Sequence, residues 1–259
     1  CVSEITDMKQ LFMQKDTFNE EAISHYVEKA HKLIDKNIIP IITFHHFTTP
    51  DWLEKYGYWE SSKTTEAFVK YVEKMMGELP QDIKYFNTIN EPGIFAFFGY
   101  FSTNKFPPGI ANETKFIQAS ENIMSAHKKA LKTIKKYNQN AKVGMTHALQ
   151  EWEDDDNNKL KEYLKYHLED KFLDASIDDD FIGLQTYTIV RYPKNIFLKI
   201  FKIKIFFKFR LNAVVLRFNN IRFNSKDCKK NDIFFSIQGN LSLIHISEPT
   251  RPRLISYAV

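Results

Sequence analysis

Apolar residues along the first 190 positions follow two alternating spacings. Stretches with an apolar residue every three or four positions are typical of amphipathic helices, and short apolar runs rich in β-branched residues are typical of strands buried on both faces. Helices and strands alternate on this basis, with helices at 19–36, 63–76, 113–137 and 159–172 and strands at 38–47, 83–90, 142–148 and 180–188. This alternation predicts an α/β fold with a parallel sheet, and it fits a barrel and a doubly wound sheet equally well.

One of the predicted strands ends in a carboxylate next to an amide. The segment 85–93 reads Tyr-Phe-Asn-Thr-Ile-Asn-Glu-Pro-Gly, and Pro92 ends the strand because proline cannot donate a hydrogen bond to a neighbouring strand. Asn90 and Glu91 therefore lie at the C-terminal end of the strand, which is the end that carries the active site in parallel α/β barrels. A carboxylate surrounded there by aromatic residues acquires a raised pKa and donates a proton near neutral pH.

This segment resembles the Thr-x-Asn-Glu-Pro signature of family 1 glycoside hydrolases, the retaining β-glucosidase family. Further motifs stand in the order of that family, namely His45-His46-Phe47, Tyr58-Trp59, Phe106-Pro107-Pro108-Gly109 and the segment 180–188, Asp-Phe-Ile-Gly-Leu-Gln-Thr-Tyr-Thr. The resemblance covers about residues 16–193. It implies a partial (β/α)8 TIM barrel with approximately the third to sixth strands and their helices, and it gives no counterpart for the first two or the last two strands.

The resemblance also implies roles for the residues at these strand ends. Glu91 is expected to act as the general acid/base of glycoside hydrolysis. Asn90 is expected to hydrogen-bond the sugar 2-hydroxyl, a contact that strengthens in the transition state. His46 is expected to bind another hydroxyl of the sugar.

Several aromatic residues would complete the site. Tyr187 is similar to the family tyrosine that hydrogen-bonds the nucleophile. Trp59 and Trp52 would form a platform that stacks on sugar rings or would be packing anchors, and the sequence leaves both interpretations open. Phe47 stands where many members of the family have Trp, which removes a polar contact to the sugar, and Gln185 stands where Asn is usual.

The nucleophile, which the family carries in a Thr-Glu-Asn-Gly segment, has no counterpart in the sequence. Glu121 precedes an Asn but lies inside a predicted helix, and Glu248 lies in the C-terminal tail. Because a retaining mechanism needs two carboxylates, we expect an inactive fragment of a retaining β-glucosidase or β-glycosidase that hydrolyses O-glycosyl bonds. The alternative is a non-catalytic sugar-binding fragment or pseudo-enzyme.

Charge and composition divide the chain near residue 190. Residues 1–190 hold 22 Lys, no Arg and 29 acidic residues, whereas residues 191–259 hold 14 Lys and Arg and 3 acidic residues. The Phe-, Ile- and Lys-rich stretch after 190 is typical of translated A/T-rich non-coding DNA, with a basic membrane- or nucleic-acid-binding segment as the alternative. We expect a family domain at 1–193, a non-family tail at 194–240 and, at 241–259, an artefact that resembles a translated sequencing adapter.

The sequence gives no sign of a cofactor or a metal. Cys1 and Cys228 provide no disulfide framework, no His or Cys spacing suggests zinc, and the acidic runs at 153–156 and 178–180 lack the spacing of a calcium loop. The expected partner is a β-glycoside or oligosaccharide substrate, with no nucleic acid and no membrane, and the oligomeric state is open. No signal peptide is visible, which favours the cytoplasm, although the first residue is not Met.

Overall fold

The computed structural model of the chain describes residues 2–5, 8–14, 17–102, 106–153 and 159–191, together with four short strand segments at 206–209, 213–216, 221–222 and 233–234. The predicted artefact at 241–259 and most of the predicted tail at 194–240 lie outside the described residues.

A parallel sheet is the centre of the fold. In chain order the strands are β1 (Val2–Ile5), β2 (Phe12–Gln14), β3 (Thr17–Phe18), β4 (Pro40–His45), β5 (Tyr85–Asn90), β6 (Lys142–Glu153), β7 (Phe181–Arg191), β8 (Phe206–Phe209), β9 (Ala213–Leu216), β10 (Ile221–Arg222) and β11 (Ile233–Phe234). Strands β1, β4, β5, β6 and β7 pair in parallel in that spatial order. Strands β8 and β9 each pair antiparallel with β7, β2 pairs antiparallel with β3, and β10 pairs in parallel with β11.

Helices connect the parallel strands, as the alternating pattern predicted. They are α1 (Met8–Leu11), α2 (Glu20–Asp35), α3 (Ser62–Glu78), α4 (Pro92–Ala96), α5 (Glu113–Tyr137), α6 (Lys159–Lys165) and α7 (Lys171–Ala175). Short 3-10 helices lie at Asp51–Tyr56 and Tyr58–Glu60, and π-helical turns lie at Phe97–Phe101 and Tyr166–Asp170. Among the described residues, none of the helices combines the length and the hydropathy of a membrane-spanning segment.

Helices α2 and α5 each begin at an asparagine that caps the first helical turn. The Asn19 side chain accepts the backbone N–H of Ala22 at the start of α2, and the Asn112 side chain accepts that of Lys115 at the start of α5. Each cap satisfies a backbone donor that the first helical turn leaves without a partner. Both caps confirm the predicted helix starts.

The differences between the structure and the sequence expectation include three in the sheet and in the segment after β5. Strand β1 is a fifth parallel strand, paired with β4, in a region where no strand was expected, because four residues are too few to show a hydrophobic period. The segment between the predicted strand at 83–90 and the predicted helix at 113–137, for which neither a strand nor a helix was expected, begins with α4 and a π-helical turn, since Pro92 at the first helical position favours a helix start. Strand β6 continues to Glu153, five residues beyond its predicted end.

The apolar core lies between the sheet and the helices. The rings of Phe44 on β4 and Phe86 on β5 are stacked with centroids 5.9 Å apart, and Phe44 meets Tyr71 of α3 edge to face. All three residues are buried, so this face of the sheet is closed to solvent. Helix α5 contributes further fully buried side chains, Phe116, Ala119, Ile123, Ala126, Ala130 and Ile134.

A buried polar chain ties α5 to two strands. Thr88 of β5 contacts His127 Nδ1 through its hydroxyl at 2.7 Å, and His127 Nε2 lies 2.9 Å from Asp179 Oδ1, just before β7. The side chains of His127 and Asp179 are almost completely buried. This connection holds α5 against the sheet behind the strand that carries Asn90 and Glu91.

Candidate active site

A bulge in β5 brings two asparagines to the same face of the sheet. Asn87 pairs with Gly144 of β6 and Asn90 pairs with Thr146, so three steps along β5 match two along β6. Side chains alternate along a regular strand, and positions 87 and 90 would otherwise face opposite sides. With the bulge, Asn87 Nδ2 donates to Thr146 Oγ1 at 3.0 Å, and Thr146 Oγ1 donates to Asn90 Oδ1 at 2.7 Å.

The side-chain amide of Asn90 is held in one orientation. Its Oδ1 accepts hydrogen bonds from Thr146 Oγ1 and, at 2.6 Å, from Gln185 Nε2 on β7. Two donors on the oxygen place the amide nitrogen on the other side, where it lies 3.5 Å from His46 Nε2. Asn90 therefore presents N–H donors toward the end of β4 that carries His46.

Glu91 has an unusual backbone and a buried side chain. Its φ of 46° and ψ of 55° lie in the left-handed region, where non-glycine residues are uncommon. Its N–H donates to the Thr146 carbonyl at 2.7 Å, and its carbonyl accepts the Phe95 N–H at 3.0 Å, which begins α4. The residue is only 4% exposed, and burial raises the pKa of its carboxyl to about 7. The carboxyl can therefore gain and lose a proton near neutral pH.

His46 and three phenylalanines form an aromatic group next to Asn90. Burial holds the pKa of His46 below its usual value, so the imidazole is neutral at pH 7. The His46 ring lies 4.8 Å from Phe47, which in turn stacks on Phe95 at 6.2 Å and contacts Phe106 at 4.9 Å. A neutral imidazole has one donor and one acceptor nitrogen, so His46 is suited to bind a hydroxyl group.

A buried carboxyl with a raised pKa, an oriented amide and a neutral imidazole thus lie at the C-terminal ends of β4 and β5. The model of the family described as Glycosyl hydrolase family 1 matches residues 13–208. The chain belongs to glycosyl hydrolase family 1. The matched interval extends the expected one of 16–193 at both ends and reaches strand β8.

Relatives of the chain within this family are β-glycosidases by name. The 6-phospho-beta-galactosidase of Staphylococcus epidermidis is 36% identical over 132 residues, which are 51% of this chain and 28% of that protein. The enzyme of the same name from Staphylococcus aureus (strain JH9) is 38% identical over 128 residues, 48% of this chain and 27% of the relative.

A solved structure shows the same partial coverage. The beta-glycosidase from Pyrococcus horikoshii is 28% identical with a TM-score of 0.66, covering 81% of this chain and 52% of that structure. The chain therefore spans about half the length of this barrel and just over a quarter of the curated relatives. The observed α/β fold is that of a partial family 1 TIM barrel, as the sequence predicted.

Trp59 lies in the core. It is fully buried, its indole N–H donates to Thr49 Oγ1 at 3.0 Å, and its ring meets His45 and Phe95 edge to face. Trp52 is partly buried and packs against the same core. Of the two interpretations left open by the sequence, this position favours packing, and it does not support a stacking platform made by Trp59.

Tyr187 lies on β7 at a second irregularity of the sheet. Ala148 of β6 pairs with Gln185 and Gln150 pairs with Thr188, so β7 contains one more residue than β6 between these pairs. The side chain of Tyr187 is outside the described part of the chain, and its expected contact with a nucleophile stays a prediction.

Sequence reasoning missed the polar residues beneath the site. Asn87 and Thr146 orient Asn90, but the sequence analysis gave neither of them a role, although Asn87 lies in the segment 85–93. The available signal was a pair of asparagines three positions apart in a largely apolar strand, because a regular strand would place these two positions on opposite faces. Within the described residues, no group of three or more His, Cys, Asp or Glu side chains is arranged to hold a metal ion.

Proposed function

We propose that the chain forms the proton-transfer part of a retaining β-glycosidase site, with Glu91 as the general acid/base. The observation that carries this proposal is the buried Glu91 carboxyl, whose pKa of about 7 lets it give and take a proton near neutrality. An ordinary surface glutamate would be ionised at that pH and would make a poor acid.

In the proposed reaction, Glu91 first protonates the glycosidic oxygen as the bond to the anomeric carbon breaks. It later removes a proton from the water that completes hydrolysis. The other carboxylate of a retaining pair attacks the anomeric carbon and lies roughly 5–5.5 Å from the acid in such enzymes. The chain contains no Thr-Glu-Asn-Gly segment. Its own residues therefore account for the protonation step and for sugar binding.

Asn90 and His46 are the proposed sugar ligands. Because Thr146 and Gln185 occupy the Asn90 oxygen, the amide nitrogen is the atom left to donate to a sugar hydroxyl. The neutral His46 ring offers an acceptor or a donor to a neighbouring hydroxyl. The Thr146 hydroxyl on β6 thereby orients Asn90, and Asn90 in turn orients the substrate, so Thr146 acts without contacting the substrate.

The names of the relatives support a proposal for the class of sugar. The two named curated relatives are 6-phospho-β-galactosidases, and the named solved structure is a β-glycosidase. We propose a β-linked hexoside as the substrate. Within this class, the relatives' names favour a galactoside that carries a phosphate on its 6-position. A panel of aryl β-glucosides and β-galactosides, each with and without a 6-phosphate, distinguishes these sugars.

Azide supplies the missing attack in an experimental test. Azide adds to the anomeric carbon from the face opposite the leaving group, the carbon–oxygen bond breaks, and the leaving phenol takes the Glu91 proton. The products are an α-glycosyl azide and the phenol. We expect the 259-residue chain to release phenol from a phenyl β-glycoside only when azide is present. The rate of the Glu91→Gln variant should be at least tenfold lower.

The matched control is Glu151→Gln, which removes an exposed carboxylate from β6. It is expected to behave like the unaltered chain. Equal azide-dependent rates for the unaltered chain and Glu91→Gln would contradict the assignment of Glu91 as the acid.

A second candidate function is sugar binding without turnover, which is favoured by the missing Thr-Glu-Asn-Gly segment. It uses the same Asn90 and His46 contacts. Calorimetric titration with a β-glycoside, together with the absence of any azide-dependent product, would support it. Asn90→Ala is expected to weaken binding by roughly tenfold, because removal of one hydrogen bond to a sugar costs about 1–1.5 kcal/mol.

A further inference from the structure

Glu169 is a buried carboxylate to which the proposed reaction gives no role. It lies on the π-helical turn Tyr166–Asp170 between α6 and α7 and is 4% exposed. Its Oε1 accepts two hydrogen bonds from strand β6, one from the Gln150 backbone N–H at 2.5 Å and one from the Trp152 indole N–H at 2.9 Å. A side chain of the helical layer thus reaches the C-terminal end of a barrel strand. Buried charged groups are rarely kept without such partners.

The point of attachment coincides with the irregularity between β6 and β7. Regular pairing stops after Ala148 and resumes at Gln150, while β7 advances by three residues from Gln185 to Thr188. A bulge of this kind leaves the local ladder incomplete, and the Gln150 N–H bonds to Glu169. The carboxylate therefore stabilises β6 at the position where β7 accommodates its extra residue.

The same turn also contacts the helix that begins at Glu91. At Gly93 of α4, an added Cβ would lie 1.9 Å from the carbonyl oxygen of Leu168, the residue before Glu169. This contact leaves no space between α4 and the turn. The segment is consequently packed against α4 on one side and bonded to the end of β6 on the other.

We propose that Glu169 is a positioning residue. It fixes the end of β6 relative to Glu91 and, through the register shift between β6 and β7, it also fixes the course of β7. This role rests on the proposed function, because alignment of the strand ends matters only if these ends form the sugar site. Glu169 acts through Gln150 and Trp152 rather than by contact with substrate.

The charge state of Glu169 agrees with this role. Burial raises the pKa of its carboxyl to about 7, against the lowering effects of the Gln150 and Trp152 hydrogen bonds and of Lys165. Asp170 next to it raises the pKa further, and Lys165 is itself paired with Asp170. The ionised carboxylate accepts both β6 donors more strongly than the neutral acid does. Ionisation therefore strengthens the two hydrogen bonds while burial opposes the charge, and the attachment of β6 changes as pH passes through about 7.

Three variants of the 259-residue chain test the proposal. Glu169→Ala removes both hydrogen bonds, Glu169→Gln keeps one side-chain oxygen as an acceptor but cannot ionise, and Glu162→Gln is the control because Glu162 is an exposed carboxylate on the neighbouring helix α6. The measurements are hydrogen exchange at the Gln150 amide, the pH dependence of Trp152 fluorescence, and azide-dependent cleavage of a phenyl β-glycoside. A Trp152→Phe variant assigns the fluorescence signal.

We expect Glu169→Ala to accelerate exchange at the Gln150 amide by at least tenfold and to lower azide-dependent turnover by a similar factor. Glu169→Gln should retain most of the protection of the Gln150 amide and most of the azide-dependent turnover. It should abolish the transition of Trp152 fluorescence near pH 7. Glu162→Gln should match the unaltered chain in all three measurements. If Glu169→Ala does not fold, Glu169→Gln alone decides through the fluorescence transition.

Unchanged Gln150 exchange in Glu169→Ala, or a Trp152 transition that persists in Glu169→Gln, would overturn the proposal. Altered exchange and fluorescence with normal azide-dependent turnover would also overturn it, because Glu169 would then be structural only. A chain that shows no azide-dependent turnover contradicts the proposed function instead. In that case the exchange and fluorescence results still decide whether Glu169 holds the end of β6.

Discussion

Glu91 is held by the rest of the chain in a state that an isolated glutamate would not adopt. A left-handed backbone at a non-glycine residue costs on the order of 1 kcal/mol or more, and burial of the carboxyl adds a cost whenever the group is ionised. The Thr146 carbonyl and the start of α4 hold the backbone in place. Strain at this residue is consistent with a site in which function rather than stability determines the conformation.

Replacement of Glu91 by Gln should raise stability at alkaline pH. An unfolded Glu titrates near 4.5 and the folded Glu91 near 7, so between these values only the folded chain keeps the proton. Stability from this group is therefore complete below pH 4.5 and is lost as pH rises through 7. The loss amounts to about 3 kcal/mol, since each pKa unit corresponds to 1.36 kcal/mol. Urea unfolding at pH 8 should show Glu91→Gln as the more stable protein by up to that amount.

The same comparison at pH 4 provides the internal control. There the native carboxyl is protonated, and Glu91→Gln should differ from the unaltered chain by less than about 1 kcal/mol. An equal difference at both pH values would show that the raised pKa of Glu91 is wrong.

Thr146 is the second residue on which the site depends. Its hydroxyl receives a hydrogen bond from Asn87 and donates one to Asn90, and the residue is buried. Thr146→Val keeps the shape but leaves both amides short of a partner, which should lower the free energy of unfolding by about 1–3 kcal/mol. Urea denaturation is the measurement. Thr114→Val on the exposed first turn of α5 is the control and should change stability by no more than about 0.5 kcal/mol.

At the scale of elements, the contact between α4 and the Tyr166–Asp170 turn sets the position of the site. Gly93→Ala should destabilise the fold by about 1–3 kcal/mol, because its Cβ meets the Leu168 backbone, which cannot move without displacing the turn. Gly77→Ala is a matched control in α3, where the nearest atom lies 3.9 Å from the new Cβ.

Gly77→Ala should be neutral or should raise stability by up to about 1 kcal/mol, because alanine favours a helix over glycine. Thermal unfolding of both variants measures the difference. Equal melting temperatures for the two variants would contradict the close packing at Gly93.

The periodicity of apolar residues was sufficient to predict most of the helices and parallel strands. It was insufficient to predict the register in which neighbouring strands pair. The long helix α5 was placed correctly because its apolar positions and its Asn112 cap agree. The bulge that turns Asn90 toward Asn87 was not predicted, since one extra residue in a buried strand leaves the apolar run unchanged. Strand β1 was not predicted because its four residues are too few to show a hydrophobic period. Glu169 was not singled out because the sequence does not distinguish a buried carboxylate from an exposed one.

At the scale of the whole molecule, the polar side chains of four neighbouring strands meet on one face of the sheet. Thr43 of β4 accepts from Asn87 of β5, Thr146 of β6 joins Asn87 to Asn90, and Gln185 of β7 closes the network on Asn90. A network of this kind fixes the relative positions of the strands only when its members are hydrogen-bonded together. The site is therefore a property of the assembled sheet, and single motifs do not contain it.

Two buried histidines should determine how the molecule responds to acid. Burial lowers the pKa of His45 and His147 to about 3, whereas an unfolded His titrates near 6.5. The unfolded chain binds protons first, so stability from these groups is present above pH 6.5 and is lost as pH falls toward 3. Glu91 and Glu169 act in the opposite direction between pH 4.5 and 7 and offset this loss there. We expect a steep loss of stability below about pH 4.5.

A substitution separates the histidine contribution from general acid effects. His147→Gln has no group to protonate and should shift the acid unfolding midpoint to lower pH in circular dichroism. His25→Gln, at an exposed position of α2, should leave the midpoint in place. A larger shift for His25→Gln than for His147→Gln would contradict the buried neutral state of His147.

The most direct test of Glu91 as the acid of a β-glycosidase is the pH dependence of azide-driven phenyl glycoside cleavage by the 259-residue chain. Azide stays ionised above pH 6, and Glu169, the other buried carboxyl with a pKa of about 7, is replaced by Gln for this measurement. The protonation state of Glu91 then controls the rate. We expect the rate to fall tenfold per pH unit above a midpoint near 7, which is the pKa of Glu91. A rate that stays constant from pH 6 to 9, or that rises with pH, would contradict the assignment.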